Sequence, residues 1–449
     1  MGIACGFVLV SAVLAMSGSM RAMAIRSLLV VTDAMPPQDE HGRTNVLLLG
    51  VGDVGHDGAN LTDAILIASV DPGTNGVSML SIPRDLYLTE PADAGPGRVN
   101  TLYWQYKNRA LRADKTLSDS GASLLAMRSL ADEIGRRTGV SIQGVAKIDF
   151  SGFEQAIDSV GGIDVDVPEE LTDYDYPLEE GRTGLLHIDA GPQHMSGALA
   201  LQYARSRHST SDFDRSSRQQ QVLQAFARKV RGMNLLTDGA AIRSLQTFLR
   251  THFESTLSTR ELLGLGSMAA SADQDRMIHM NLNYGVGGDS SDALAGGFVR
   301  PDTDAASSGA ILLSLSLAGD DDDWGQIRTL AAFVFDHREA YLSHPRLVID
   351  PSGAKYVQAQ RLRNELLRYG FTVDAFADGA FTTKPPAGAS ARVVLNDDDD
   401  RDAAVFLAAL LKLPAENADR GAEPSAIRIV LSKDYTFTPF QTLYETPRD

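Results

Sequence analysis

The chain has 449 residues, 43% hydrophobic and 22% charged, the make-up of a folded globular protein with room for two or three domains. Its formal net charge of −17 excludes a general nucleic-acid surface, so no nucleic-acid partner is expected and any basic cluster is a local feature. Cys5 is the only cysteine, so no intramolecular disulfide can form.

The chain opens on an apolar run, Ile3 to Met16 (IACGFVLVSAVLAM), shorter than the roughly 20 residues a membrane span needs. A second run, Ser27 to Val31, follows Arg21 and Arg26. Three readings of residues 1–31 are open: a truncated signal-anchor, a cleaved signal with Ala22-Met23-Ala24 as its site, or a buried helix. The arginines follow the first run rather than precede it, which counts against an ordinary anchor. Residues 32–44 are polar, contain Pro36-Pro37, and read as a linker.

Asn45 to Gly50, Ala64 to Val70 and Val77 to Ile82 are apolar runs of strand length. The first two flank a glycine-rich loop, GVGDVGHDGANLTD, which lacks the spacing of a P-loop or a dinucleotide fingerprint. Ser81-Ile82-Pro83-Arg84-Asp85 follows the third, which brings the charge of Arg84 out at the rim of a sheet, where α/β folds bind ligands. A local Arg84–Asp85 turn is the plainer alternative. Arg98-Val99-Asn100 leads into a helix from Thr101 to Tyr106. A second helix, Ser120 to Thr138, carries Leu124, Met127, Leu130 and Ile134 as a core stripe.

Gly144 to Phe150, Ser151 to Val160 and Ile163 to Val167 read as strand, helix, strand, with Ser151 as cap and Gly161-Gly162 as stop. Alternation in the last strand sends Asp164 and Asp166 to water. Residues 169–192 read as an acidic, irregular excursion, and Ser196 to Tyr203 as a short helix.

The stretch Arg205 to Gln221, RSRHSTSDFDRSSRQQQ, concentrates four arginines at one turn and one helix start. Arg205 and Arg207 are two apart and point the same way if extended. Asp212 is a candidate cap for a helix running to about Val230. Arg215, Arg218 and Gln219 share one face of it near its positive end, and Val222 and Phe226 continue that row as apolar residues. The far end is therefore expected to be buried and the near end to open onto a cavity. Guanidinium forks converging at a helix start suit a phosphate or pyrophosphate; a solvated, salt-bridged helix start is the plainer alternative.

Residues 236–270 read as helical, and 285–322 as a Gly, Ser and Asp-rich excursion. From Arg346 the pattern is strand, helix, strand, strand, helix, strand, ending near Leu431. Asp397 to Asp400 precedes a helix, where negative charge suits the dipole. His187, His194 and His208 lack metal-ligand spacing.

The blocks NVLLLG, LTD, SIPRD, RVN, GFEQAIDSVGGIDVDVP, ALALQYARSR and SDFDRSSRQQQ, in that order, resemble the LytR-CpsA-Psr family of cell-envelope phosphotransferases over residues 45–270. Residues 346–432 resemble, less specifically, the LytR C-terminal domain, with 271–345 as an extension and 433–449 as a tail. The resemblance implies an α/β fold, a mixed central sheet flanked by helices with a lipid tunnel, plus a small C-terminal α/β domain. It implies transfer of a glycan 1-phosphate from a polyprenyl-pyrophosphate carrier to a peptidoglycan acceptor, with Mg²⁺ as cofactor. It favours the truncated anchor among the three N-terminal readings, hence a single-pass protein of the cell membrane with an extracytoplasmic catalytic domain.

By the same resemblance, Arg84, Arg98, Arg205, Arg207, Arg215, Arg218 and Gln219 hold the pyrophosphate. Asp63 is a metal ligand, and Asp212 stands beside the reacting groups, with Asp85 as the other candidate base. Two positions depart from the family pattern. Gly50-Val51-Gly52 lacks the aspartate of the usual G-x-D, which Asp53 or, preferably, Asp57 would replace; and Leu61 stands where an arginine is usual. A hydrolase using the same site, or a protein that binds a lipid-linked glycan without turnover, are the alternatives.

Overall fold

Three apolar runs become three neighbouring strands, β1 (Thr44–Val51), β2 (Thr62–Asp71) and β3 (Gly76–Ser81), each antiparallel to the next. The structure is a computed structural model that describes residues 35–53, 59–177, 183–206, 212–232, 252–273, 276–282, 297–302, 311–351, 354–374, 391–395, 398–417 and 426–445. Two units are separated by their contacts: one runs to Asn281, and the other comprises Leu282 onward together with residues 137–140.

In the first unit β3 is followed by a small antiparallel pair, β4 (Tyr87–Leu88) and β5 (Gly97–Arg98), then by α1 (Val99–Ala113) and α2 (Asp119–Thr138). Next come β6 (Gly144–Asp149), α3 (Phe150–Ser159), β7 (Ile163–Val167), β8 (Leu171–Pro177), β9 (Thr183–Ile188) and β10 (Gly191–Met195). The unit closes with α4 (Gly197–Arg205), α5 (Asp212–Gly232), β11 (Phe253–Ser255), α6 (Thr259–Ser271) and β12 (Met277–Asn281). The main sheet has the order β11-β6-β1-β2-β3-β12 and is mixed, with β6 parallel to β1 and β12 parallel to β3.

Alternation along the strands gives this sheet two apolar faces. Leu48, Leu66, Val70 and Met79 pack against Leu223 of α5 and Leu265 and Met268 of α6. Leu47, Leu49, Ile65 and Ile67 alternate with them and are buried on the other face, where α1 lies against β2. A second apolar cluster joins Ile163, Val165 and Val167 of β7 to Tyr203 of α4 and Val222 and Ala225 of α5. The chain therefore has the expected mixed sheet flanked by helices.

Several local expectations need correction. Residues 169–192 are not irregular: β8 and β9 pair antiparallel, and β10 pairs with β7. The first helix extends well past Tyr106, to Ala113. The cap of α3 is Asp149, which accepts from Gly152 N, while Ser151 donates its N–H to Asp53. Residues 253–255 are strand rather than helix because they hydrogen-bond to the edge of β6. Gly161 and Gly162 do stop α3, each with positive φ. Asp164 and Asp166 are exposed as alternation requires.

The second unit holds β13 (Val299–Pro301), β14 (Leu312–Ser314), α7 (Gly325–Asp336), α8 (Glu339–Leu342), β15 (Arg346–Asp350) and α9 (Tyr356–Arg368). It continues with β16 (Thr372–Val373), β17 (Arg392–Leu395), α10 (Arg401–Leu411), β18 (Ala415–Asn417), β19 (Ile427–Val430) and α11 (Phe440–Glu445). Its sheet has the order β16-β15-β19-β17-β18. The Tyr369 ring lies at the centre of an aromatic core, with the centroids of Phe298, Phe333 and Phe440 each 5.1 Å away. Glu365 accepts from Phe440 N at 2.9 Å beside Arg368, and burial raises its pKa.

Among the described residues no helix is long and apolar enough to cross a membrane. The single-pass membrane localisation expected above is thereby corrected; the run from Ile3 to Met16 that prompted it lies outside the described residues.

Two stability predictions follow from the first unit. A Cβ on Gly197 would lie 2.2 Å from the Glu154 carbonyl oxygen, so α4 can approach α3 only through a glycine. Gly197→Ala should cost about 1–3 kcal/mol in urea unfolding, as overpacking does, and an unchanged midpoint would contradict this contact. His279 on β12 is half-buried beside Gln224 of α5, and the desolvation of its ring lowers its pKa from 6.5 to about 4. Between those values the unfolded chain binds the proton and the folded chain does not, so stability falls as pH drops from about 6.5 to about 4. The full loss is about 3 kcal/mol. His279→Gln should flatten the urea midpoint across that window, and an unaltered pH slope would contradict the assignment.

Candidate active site

Between the α5 face of the main sheet and the helices covering it lies a cavity of about 460 Å³. Its walls are mainly apolar, with Leu48, Leu66, Ile148, Phe153, Leu223 and Phe226 among them. Charged and amide groups join them at Asp63, Arg84, Arg205, Gln219 and Gln220. Of the row of α5 expected to change from polar to apolar, Gln219, Val222 and Phe226 line the cavity, whereas Arg218 does not. Gln219 and Gln220 line the cavity one turn before Leu223 and about two turns before Phe226.

Asp63 enters from the start of β2 and Arg84 from the loop after β3, because antiparallel pairing brings those two strand ends together. Arg84 Nη1 donates to Asp63 Oδ1. Its Nε donates to Asp85 Oδ2 at 3.4 Å, and Arg98 Nη1 lies 3.7 Å from Asp85 Oδ1. The result is an alternating chain of charges, Asp63, Arg84, Asp85, Arg98. The backbone beneath it is also tied: Asn100 N donates to the Arg84 carbonyl, and Thr62 Oγ1 donates to the Asn100 carbonyl. Arg98 is therefore placed to hold Asp85 and is not among the cavity-lining residues.

Arg205 is the last residue of α4, and its guanidinium stacks on the Phe150 ring at 4.2 Å from the centroid. The next residue, Ser206, is fully buried and donates through Oγ to Asp173 Oδ2 at 2.7 Å, so the end of α4 is pinned to β8. Arg218 turns away from the cavity. Buried, it donates through Nε to the Tyr203 carbonyl at 2.9 Å and through Nη2 to the Ser206 carbonyl at 2.5 Å. It clamps the turn that carries Arg205 instead of lining the cavity. Gln219 donates to the Ala204 carbonyl at 3.5 Å.

Asp57 and Arg207 lie outside the described residues. Asp212 and Arg215 belong to the first turn of α5, with Asp212 its first helical residue, and their side chains are outside the description. Asp53, the other substitute ligand, accepts Ser151 N and Ser151 Oγ, both at 2.9 Å, so its two oxygens serve the start of α3. Glu154 on α3 has its carboxyl pKa raised, first by burial and then by Asp158 and Asp53, with Arg205 opposing. Among the described residues no group of three or more His, Cys, Asp or Glu is placed to hold a metal ion.

Three residues at this site were not singled out from the sequence. Phe150 supplies the face on which Arg205 lies. Gln220 donates to Ser81 Oγ and Asn281 Oδ1, each at 2.9 Å, which joins α5 to β3 and β12. Lys147 of β6 donates to Tyr103 at 2.8 Å and Glu254 at 3.2 Å; burial is the largest single effect on its pKa and lowers it, but the two partners together outweigh burial and raise it. The glutamine run hinted at Gln220; nothing in the local pattern marks the other two.

One largely apolar cavity against a mixed sheet thus has Asp63, Arg84 and Arg205 in its lining. The LytR_cpsA_psr family matches residues 16–298, and the chain belongs to that family. It is 28% identical over 209 residues to the polyisoprenyl-teichoic acid–peptidoglycan teichoic acid transferase TagU of Oceanobacillus iheyensis, covering 45% of this chain and 56% of that one. It is 29% identical over 232 residues to the cell wall biosynthesis protein LcpA of Corynebacterium glutamicum, covering 49% of this chain and 42% of that one. The chain thus spans about half the length of the curated relatives it matches. The crystal structure of Bacillus subtilis TagV aligns with a TM-score of 0.46 at 20% identity, over 66% of this chain and 97% of that one.

The clamp made by Arg218 is testable through stability. Arg218→Leu removes two donors from carbonyls at the end of α4 and should cost on the order of 1–3 kcal/mol in urea unfolding. Wild-type stability in that variant would show that the turn does not depend on it.

Proposed function

We propose that this chain transfers a glycan 1-phosphate from a polyprenyl-pyrophosphate carrier to peptidoglycan. The observation that carries this reading is a single cavity with hydrocarbon walls and guanidinium groups from Arg84 and Arg205 among them. Such a cavity suits a ligand that is an oil at one end and a polyanion at the other. Polyprenyl chain buries against Leu48, Leu66 and Phe226, and each buried CH₂ contributes about 0.8 kcal/mol. Planar guanidinium forks match the oxygens of the pyrophosphate. The names of the relatives support the same chemistry, since TagU is called a teichoic acid transferase acting on peptidoglycan.

In the proposed reaction the oxygen of an acceptor hydroxyl attacks the glycan-linked phosphorus, and the bridging P–O bond to the lipid phosphate breaks. Polyprenyl phosphate leaves with that bond's electron pair. Arg84 and Arg205 neutralise the charge that grows on it, which is the main demand of phosphoryl transfer. The hydroxyl proton passes to a carboxylate. Asp85 is engaged by Arg84 and Arg98, so Asp212 is the better candidate of the two. Arg218 and Arg98 act as positioning residues for Arg205 and Asp85, Gln219 stands on the cavity wall, and Arg207 and Arg215 are assigned to the pyrophosphate by the family resemblance alone.

Asp63 fits a role as Mg²⁺ ligand. It is a hard oxygen donor on the cavity wall, and Mg²⁺ commonly takes one or two carboxylates and fills its shell with substrate phosphates and water. Asp57 is the proposed second ligand, Asp53 being engaged by Ser151. When bound, the cation would offset phosphate charge. The second unit is proposed as a LytR C-terminal-like docking module.

A second reading, binding without turnover, is favoured by the engagement of Asp63 by Arg84 and by Leu61. Turnover of a short synthetic polyprenyl-pyrophosphoryl saccharide with peptidoglycan fragments separates the two. Arg84→Ala and Arg205→Ala should each slow release of polyprenyl phosphate by about 10²–10³-fold, as loss of one charge-stabilising donor does. Wild-type rates in both variants would sink the mechanism, and release without glycan transfer to the fragments would mean hydrolysis.

A further inference from the structure

Arg84 is engaged by a carboxylate of its own chain. Its Nη1 donates to Asp63 and its Nε to Asp85, and its side chain is 17% exposed. A guanidinium has its N–H donors fixed in one plane, so the edge turned to Asp63 cannot at the same time hold a phosphate. Asp63 lines the same cavity, and its negative charge there repels a pyrophosphate.

We propose that Asp63 is a latch on Arg84: without a cation it holds the guanidinium and keeps pyrophosphate out, and a divalent cation that takes the carboxylate releases Arg84 to the phosphates. The inference rests on the reading of this cavity as a pyrophosphate site. It gives Asp63 two successive partners and makes cation and pyrophosphate binding mutually dependent, each raising the affinity for the other by the same factor. Leu61 strengthens the effect. The place two residues before Asp63 offers no guanidinium to hold phosphate while Arg84 is engaged. Asp85 does not compete in the same way, because it faces the Nε edge and is shared with Arg98.

The test is calorimetric binding of inorganic pyrophosphate to the full chain, once in EDTA and once with magnesium chloride. Wild type is compared with Asp63→Asn, Asp63→Ser and Arg84→Gln; the serine variant controls for new hydrogen bonds made by the asparagine amide. In EDTA both Asp63 variants should bind about fivefold tighter than wild type, the upper end for breaking a solvent-accessible ion pair. Magnesium should tighten binding to wild type and leave the Asp63 variants unchanged, and Arg84→Gln should lose binding in both buffers. Equal or weaker binding by the Asp63 variants in EDTA overturns the latch while leaving the pyrophosphate site standing. Absence of binding by every form in both buffers overturns the site itself, and undiminished binding by Arg84→Gln places the pyrophosphate away from Arg84.

Discussion

The ion pair between Asp63 and Arg84 is the contact around which the site is arranged. It exists because β2 and β3 are antiparallel neighbours, so the start of one strand and the loop after the other meet at one end of the sheet. Asp85 and Arg98 extend it into an alternating row, and the Asn100 backbone fixes the loop beneath. Charges placed this way are partly desolvated and need one another. An incoming ligand must therefore replace one partner with another of like charge.

The rest of the first unit presents this row to an apolar space. Alternation on β1, β2 and β6 directs Leu48, Leu66 and Ile148 to one face, and α5 covers that face with Leu223 and Phe226. The same helix changes to glutamines one turn earlier, so hydrocarbon and amide surfaces meet along its length. Arg205 enters from a separate element, α4, whose end is held by Arg218 from inside and by Asp173 from β8. Two arginines far apart in sequence thereby line one cavity. Each is oriented by a different part of the fold, one by ion pairs and the other by the Phe150 ring.

Much of this was legible in the chain. Continuous apolar runs located β1, β2 and β3, since a strand buried on both sides has no polar face to interrupt it. Gly161-Gly162 marked the end of α3 because the backbone there has positive φ. Illegible parts depended on tertiary pairing. The acidic composition of residues 169–192 suggested irregular chain, yet β8 and β9 form a ladder, in which Asp175 is exposed and Asp173 is buried where it accepts from Ser206. Arg218 was placed with the ligand-binding arginines on helical spacing. Spacing alone cannot tell a guanidinium aimed at a cavity from one that serves carbonyls of a neighbouring turn. Asp53 looked free to bind a metal, and its engagement by Ser151 depends on a contact 98 residues distant. The family resemblance named the chemistry more directly than any single motif, and the family match over residues 16–298 agrees with it.

The central claim is that one cavity takes a lipid and its pyrophosphate together. A crystal structure of the chain with a short polyprenyl pyrophosphate tests it most directly. The account predicts hydrocarbon density among Leu48, Leu66 and Phe226 and the pyrophosphate between Arg84 and Arg205. Lipid bound outside that cavity, or a pyrophosphate that touches neither arginine, would contradict it.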